Sequence, residues 1–153
     1  MPIVARLASK QLELRVATDE HLVFARELTR SNMQSYYRQY DLTWQPAAFD
    51  AEWQVRDSYV VEQAGKTIGF LGLTRGSDYL YLRDIQLIEA YRGDGVGEWV
   101  ITWVEKQARE QGCRSVRLKV FKRNPAMGLY LRLGYRHVGE EPALFLMERV
   151  LTL

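Results

Sequence analysis

Asp84-Ile85-Gln86-Leu87-Ile88-Glu89-Ala90-Tyr91-Arg92-Gly93-Asp94-Gly95-Val96-Gly97-Glu98-Trp99-Val100 is the stretch that decides the fold. Apolar alternation gives way here, across three glycines at every second position, to helical spacing. The pattern is that of a buried strand, a short turn and the first turn of an amphipathic helix. Glycine permits positive φ and leaves no Cβ between the backbone and a ligand. The first N–H groups of the helix that follows have no partner inside it and lie at its positive end. With Arg92 beside them they make an anion site, suited to a phosphate or pyrophosphate. A plain strand-to-helix turn needs only one glycine.

Upstream of this stretch, Tyr79 to Ile88 alternates with period two. Ser58 to Ala64 and Ile68 to Leu73 read as two further strands joined at Ala64-Gly65-Lys66-Thr67, a hairpin turn signal. Leu12 to Ala17 is a half-buried strand. Thr18 follows it at an N-cap position, with Asp19 and Glu20 in the first turn of a helix. That helical pattern runs from His21 to about Tyr40, and Ser31-Asn32 in its middle predicts a break into two helices. Pro46 to Arg56 is a short helix with Phe49 and Trp53 at i, i+4. The cluster of Met33, Tyr36, Tyr37, Tyr40 and Trp44 divides between core packing and a substrate wall that could hold a cationic amine by cation–π contact.

Downstream, Val96, Val100, Trp103, Val104 and Ala108 trace a helical stripe that ends at Gln111-Gly112. Arg114 to Phe121 is a strand. Asn124 then stands at an N-cap and Pro125 at the first position of a helix that stops at Gly134. Tyr135 to Gly139 and Ala143 to Val150 are the last two strands. The whole is one α/β or α+β domain over residues 1–153, with a mixed sheet.

Composition narrows the function. The chain is 47% hydrophobic with a formal net charge of +2, so it is globular and carries no nucleic-acid surface. One cysteine, Cys113, and two histidines, His21 and His137, give no metal-ligand spacing. No run of 18 apolar residues suggests a membrane span, and cytoplasmic residence is the expectation.

Arg92-Gly93-Asp94-Gly95-Val96-Gly97 after the strand resembles the phosphate motif of the GNAT superfamily of acetyl-CoA-dependent N-acetyltransferases: Gln or Arg, two residues, Gly, one residue, then Gly or Ala. A second family segment is similar to Asn124-Pro125-Ala126, Leu129-Tyr130 and Leu133-Gly134-Tyr135, with Tyr135 in the family's phenylalanine place. The asparagine lies six residues before the tyrosine, where many members have seven. The resemblance covers residues 58 to 150, and the first 57 agree in element order.

The resemblance implies a GNAT-like, mainly antiparallel sheet of about six or seven strands flanked by about four helices. It implies acetyl-CoA as co-substrate and an amine-bearing acceptor, and it makes a homodimer an expectation. By the same resemblance Ile85, Gln86 and Leu87 meet the pantetheine arm. An N–H near Leu87 would polarise the thioester, an effect worth about 3 kcal/mol. Gly93, Asp94, Gly95, Val96, Gly97 and Glu98 would hold the pyrophosphate, with Arg92 adding charge and Asn124 a further cofactor contact. Tyr130 matches the general acid for the departing thiolate, and a phenol of ordinary pKa about 10 can donate at neutral pH. Asp84 is the candidate base, set against pairing with an arginine such as Arg83 or Arg117. A CoA-binding regulatory protein without turnover is the alternative function.

Overall fold

A computed structural model describes residues 2–152. It contains four α-helices and eight strands in the order β1-β2-β3-β4-β5-β6-β8-β7. The chain divides into two compact units. The first comprises residues up to Leu73 together with Asp84–Gly97, and the second comprises Thr74–Arg83 and the residues from Glu98 onward.

In the first unit, β1 (Ile3–Leu7), β2 (Leu12–Val16), β3 (Asp57–Gln63) and β4 (Lys66–Arg75) form an antiparallel run. Leu12, Leu14, Val60, Val61, Ile68, Phe70 and Leu71 are buried along it. The predicted hairpin turns through Ala64 and Gly65, both at positive φ (50° and 83°); Gly65 takes this freely, whereas Ala64 takes it against the usual preference of a residue with a Cβ. The end of β5 (Tyr79–Leu87) completes the unit. Strand β1 has no counterpart among the elements expected from sequence.

Helix α1 (Leu22–Gln39) is continuous, so the break expected at Ser31-Asn32 does not occur. Asparagine disfavours helix interiors because its amide competes for nearby backbone groups. Here the Asn32 amide is engaged elsewhere, donating to Gln86 Oε1 and to the Leu87 carbonyl, each at 3.1 Å. Ahead of the helix, the Thr18 N–H donates to His21 Nδ1 at 3.0 Å. Helix α2 (Pro46–Val55) has its proline at the start, where a missing N–H costs nothing. Phe49 and Trp53 from α2, Ala25 from α1, and Val60 and Phe70 from the sheet form one buried cluster, and Trp44 packs on it.

In the second unit, β5 and β6 (Ser115–Phe121) pair in parallel from Tyr79↔Ser115 to Leu82↔Leu118. Strand β8 (Leu144–Val150) pairs antiparallel with both β6 and β7 (Arg136–Glu140). Along helix α3 (Val96–Glu110) the predicted stripe of Val96, Val100, Trp103, Val104 and Ala108 is buried, and Ile101 is buried beside it. Helix α4 (Ala126–Arg132) is short and is followed by Gly134 at φ 97°.

Candidate active site

Glycine turn. The sequence places three glycines between β5 and α3, and two of them use the freedom glycine has. Gly93 and Gly95 sit at φ 79° and 78°. Gly97 does not: it lies inside α3 at an ordinary helical φ. A side chain built at Gly93 would meet nothing within 4 Å, and at Gly95 only Lys10 Nζ at 3.6 Å. Gly93, Asp94, Gly95 and Glu98 are exposed while Val96 is buried, so the backbone of the turn faces solvent and the helix start is anchored beneath it. The backbone hydrogen bonds leading into the turn end with the Arg92 N–H on the Glu89 carbonyl, 3.1 Å. An open, amide-rich bend of this kind fits a diphosphate.

Two cations frame the turn. Arg92 Nε and Nη2 donate to the Leu87 carbonyl at 3.3 and 3.2 Å. Lys10 donates to the Asp94 carbonyl and reaches its carboxylate at 3.2 Å. Lys10 gives no sequence signal, since 84 residues separate it from Asp94.

Acidic strand. Asp84, Ile85, Gln86 and Leu87 occupy the end of β5 within the first unit. Their close approach to β4 depends on Gly69, where a Cβ would stand 2.4 Å from the Gln86 carbonyl oxygen and 2.6 Å from Leu87 Cδ2. Asp84 Oδ1 accepts from Gln86 Nε2 at 2.8 Å, and Oδ2 accepts from Arg56 Nη1 at 3.4 Å. The sequence reading allows Asp84 an arginine partner such as Arg83 or Arg117, and the arginine it has is Arg56. Arg83 instead donates to Thr74 Oγ1 and Arg117 to Glu148, so neither is the one that holds Asp84. Burial pushes the Asp84 carboxyl above its usual value, against the pull of Arg56 and the Gln86 hydrogen bond. A carboxylate raised in this way is better matched to general-base work near neutral pH.

Aromatic cluster. The run from Tyr36 to Trp44 is expected to serve as core or as a wall for a cation. Trp44 stands edge-on to Tyr37 at 5.7 Å and tilts against Phe49 at 5.8 Å. The cation beside the buried rings is the protein's own: the Arg56 guanidinium lies 5.0 Å from Phe49 and 5.7 Å from both Trp53 and Phe70.

Tyrosine and asparagine. Tyr130 and Asn124 belong to the second unit. Tyr130 is buried and meets Tyr135 edge to face at 5.9 Å. The Tyr135 hydroxyl donates to Glu105 Oε2 at 2.9 Å, and Arg149 Nη1 donates to the other oxygen at 2.7 Å. The tyrosine in the family's phenylalanine place is thereby tied down, and burial, then Glu105, pushes its phenol well above the usual range. Asn124 Oδ1 accepts from the Ala126 N–H at 2.9 Å, so its side chain caps α4.

Residues 25–135 match the model of the acetyltransferase (GNAT) family. The chain belongs to the GNAT acetyltransferase family.

Over 62 residues it is 40% identical to the thialysine N-epsilon-acetyltransferase of Bos taurus, covering 40% of this chain and 36% of that one. The Sus scrofa protein of the same name gives the same figures, 40% identity over 62 residues. The chain thus matches about a third of the length of these curated relatives. The fold resembles that of the PaiA N-acetyltransferase from Thermoplasma acidophilum, solved in complex with coenzyme A. The TM-score is 0.74 and the identity 17%, over 92% of this chain and 99% of that one. It also resembles the ribosomal-protein-S18-alanine N-acetyltransferase from Escherichia coli, with TM-score 0.73 and 16% identity over 93% and 95% of the two chains.

Proposed function

We propose that the protein transfers the acetyl group of acetyl-CoA to a primary amine by direct attack of the amine on the thioester. The observation that carries this reading is the open glycine turn, with Gly93 and Gly95 at positive φ between the end of β5 that bears Asp84 and the start of α3. Amides of Gly93 to Glu98 hold the diphosphate of CoA, and Arg92 adds charge. The backbone of Ile85 to Leu87 aligns the pantetheine arm. Asn124 is the weakest member of this set, because its carbonyl oxygen is already spent on the Ala126 N–H.

Asp84 takes a proton from the acceptor's ammonium group, directly or through water. The freed nitrogen lone pair forms the C–N bond, the C–S bond breaks, and Tyr130 gives its proton to the departing thiolate. The second proton lost from nitrogen restores the Tyr130 phenol, and Asp84 releases its own to solvent. Atoms and charge balance: an ammonium and a thioester become an amide, a thiol and one proton. The family membership and the acetyltransferases it resembles support this reading.

The test is release of free CoA thiol from acetyl-CoA, screened against small amines, peptides with free N-termini and lysine-like compounds. The expected result is amine-dependent thiol release that falls about 100-fold in Tyr130→Phe, while CoA still binds. Binding of acetyl-CoA with no amine-dependent thiol would favour the regulatory alternative.

A further inference from the structure

Arg56 is the least expected group in the first unit. Its side chain is 1% exposed, yet among the described residues only its Nη1 has a hydrogen-bond partner, Asp84 Oδ2 at 3.4 Å. Nε and Nη2 are buried with none. Burying a charge with donors left over is costly, and a chain selected for stability alone would fill this space with an apolar side chain. The surroundings are shaped for the arginine. Phe49, Trp53 and Phe70 stand within 6 Å of its centre, where ring quadrupoles recover part of the cost. Strand β4 gives up a side chain at Gly72, where a Cβ would lie 2.7 Å from Arg56 Nε. The carboxylate, by contrast, keeps 19% of its surface. The arginine is hidden and the acid is reachable.

We propose that Arg56 is a positioning residue for the acetyl-transfer reaction: its buried guanidinium fixes Asp84 Oδ2 and keeps the carboxylate ionised until the acceptor delivers its proton. This rests on the reading of Asp84 as the base. Gln86 holds the other oxygen and is itself held by Asn32 of α1, so both oxygens have a fixed donor. The remaining groups around Asp84 are Glu52 of α2, whose negative charge opposes ionisation, and Tyr37 of α1. Burial, followed by Asp84 and Glu52, pushes the Tyr37 phenol up, so it stays neutral across the working range. Arg56 is therefore the cation that offsets both burial and Glu52 at this carboxyl.

Removing that charge moves the protonation midpoint of Asp84 upward. In Arg56→Met the acid limb of the kcat/KM profile should rise by about one pH unit or more. The Asp84 carboxyl carbon, followed by NMR in the enzyme without substrates, should rise with it. Arg56→Lys keeps the charge and loses the planar fork, so its limb should stay near wild type while kcat falls several-fold. A merely structural arginine would lower the melting temperature and leave both midpoints where they were. Asp84→Asn separates the two ideas. If it is inactive while Arg56→Met leaves either midpoint unmoved, the positioning role is wrong and the base reading stands. If Asp84→Asn turns over at the wild-type rate, both fall. Should Arg56→Met fail to fold, Arg56→Lys decides, and a lysine enzyme equal to wild type in kcat and limb overturns the proposal.

Discussion

Among the described residues, each unit holds an acid–arginine pair with one buried member, and the two are built in opposite ways. In the second unit the acid is the hidden member: Glu105 is 4% exposed and Arg149 32%, at 2.7 Å. Both Glu105 oxygens are taken, one by Arg149 and one by the Tyr135 hydroxyl. In the first unit the arginine is hidden, the contact is 3.4 Å, and two of its nitrogens lack a partner. A short pair with both carboxylate oxygens taken is fixed in place, and removing its cation strands a buried charge. A long pair with surplus donors and a reachable carboxylate costs stability and leaves the acid free to exchange a proton.

The contrast breaks if the two pairs respond alike to substitution. The largest effect expected is on turnover: Asp84→Asn should lower kcat by about 100-fold or more with the fold intact by circular dichroism. Next is stability in the other unit. Arg149→Met leaves the Glu105 charge buried without its cation and should cost about 2–3 kcal/mol in urea unfolding, less than a fully buried pair because Arg149 keeps part of its hydration. Tyr135→Phe removes one hydrogen bond to Glu105 and should cost about 1 kcal/mol. Arg56→Met should change stability by less than about 1 kcal/mol, since the orphaned nitrogens leave with it and Asp84 can neutralise by taking up a proton. A loss from Arg56→Met as large as that from Arg149→Met would erase the distinction.

The smallest effect is on acid stability. The hydrogen bond from Arg117, aided by Ser115, holds the Glu148 carboxyl below its usual range against burial. A depressed carboxyl contributes stability that is fully present above its unfolded pKa and is lost as pH falls through the folded one. Glu148→Gln should therefore lose part of the acid-side fall in melting temperature below about pH 4.5, and little should change at neutral pH.

Local pattern carried most of the fold. Period two exposed β2, β5 and β6, the hairpin turn signal between two apolar runs gave β3 and β4, and the proline, asparagine and glycine signals placed α2, α4 and the Ala64-Gly65 turn close to their observed ends. Strand β1 escaped because its burial alternates while its hydropathy does not: apolar Val4 falls on the exposed face of Ile3-Val4-Ala5-Arg6-Leu7. The false break at Ser31-Asn32 came from a propensity that tertiary contact overrode, since the Asn32 amide serves Gln86 and Leu87. The glycine turn was legible because its chemistry is contiguous in sequence. Arg56, Gly69, Gly72 and Lys10 were not. Arg56 lies 28 residues from Asp84 and stands at a helix end, where an arginine ordinarily faces water. The two glycines matter only through the missing Cβ opposite another element.

The most direct test of the central claim is calorimetric titration of CoA into the wild-type protein and Gly95→Val. Valine cannot adopt the positive φ of 78° without strain, and it puts a side chain where the diphosphate is expected to lie. If the bend holds the diphosphate, the wild type binds CoA measurably and the variant, with unchanged circular dichroism, binds it at least about tenfold more weakly. Equal affinity in the two folded proteins would contradict it.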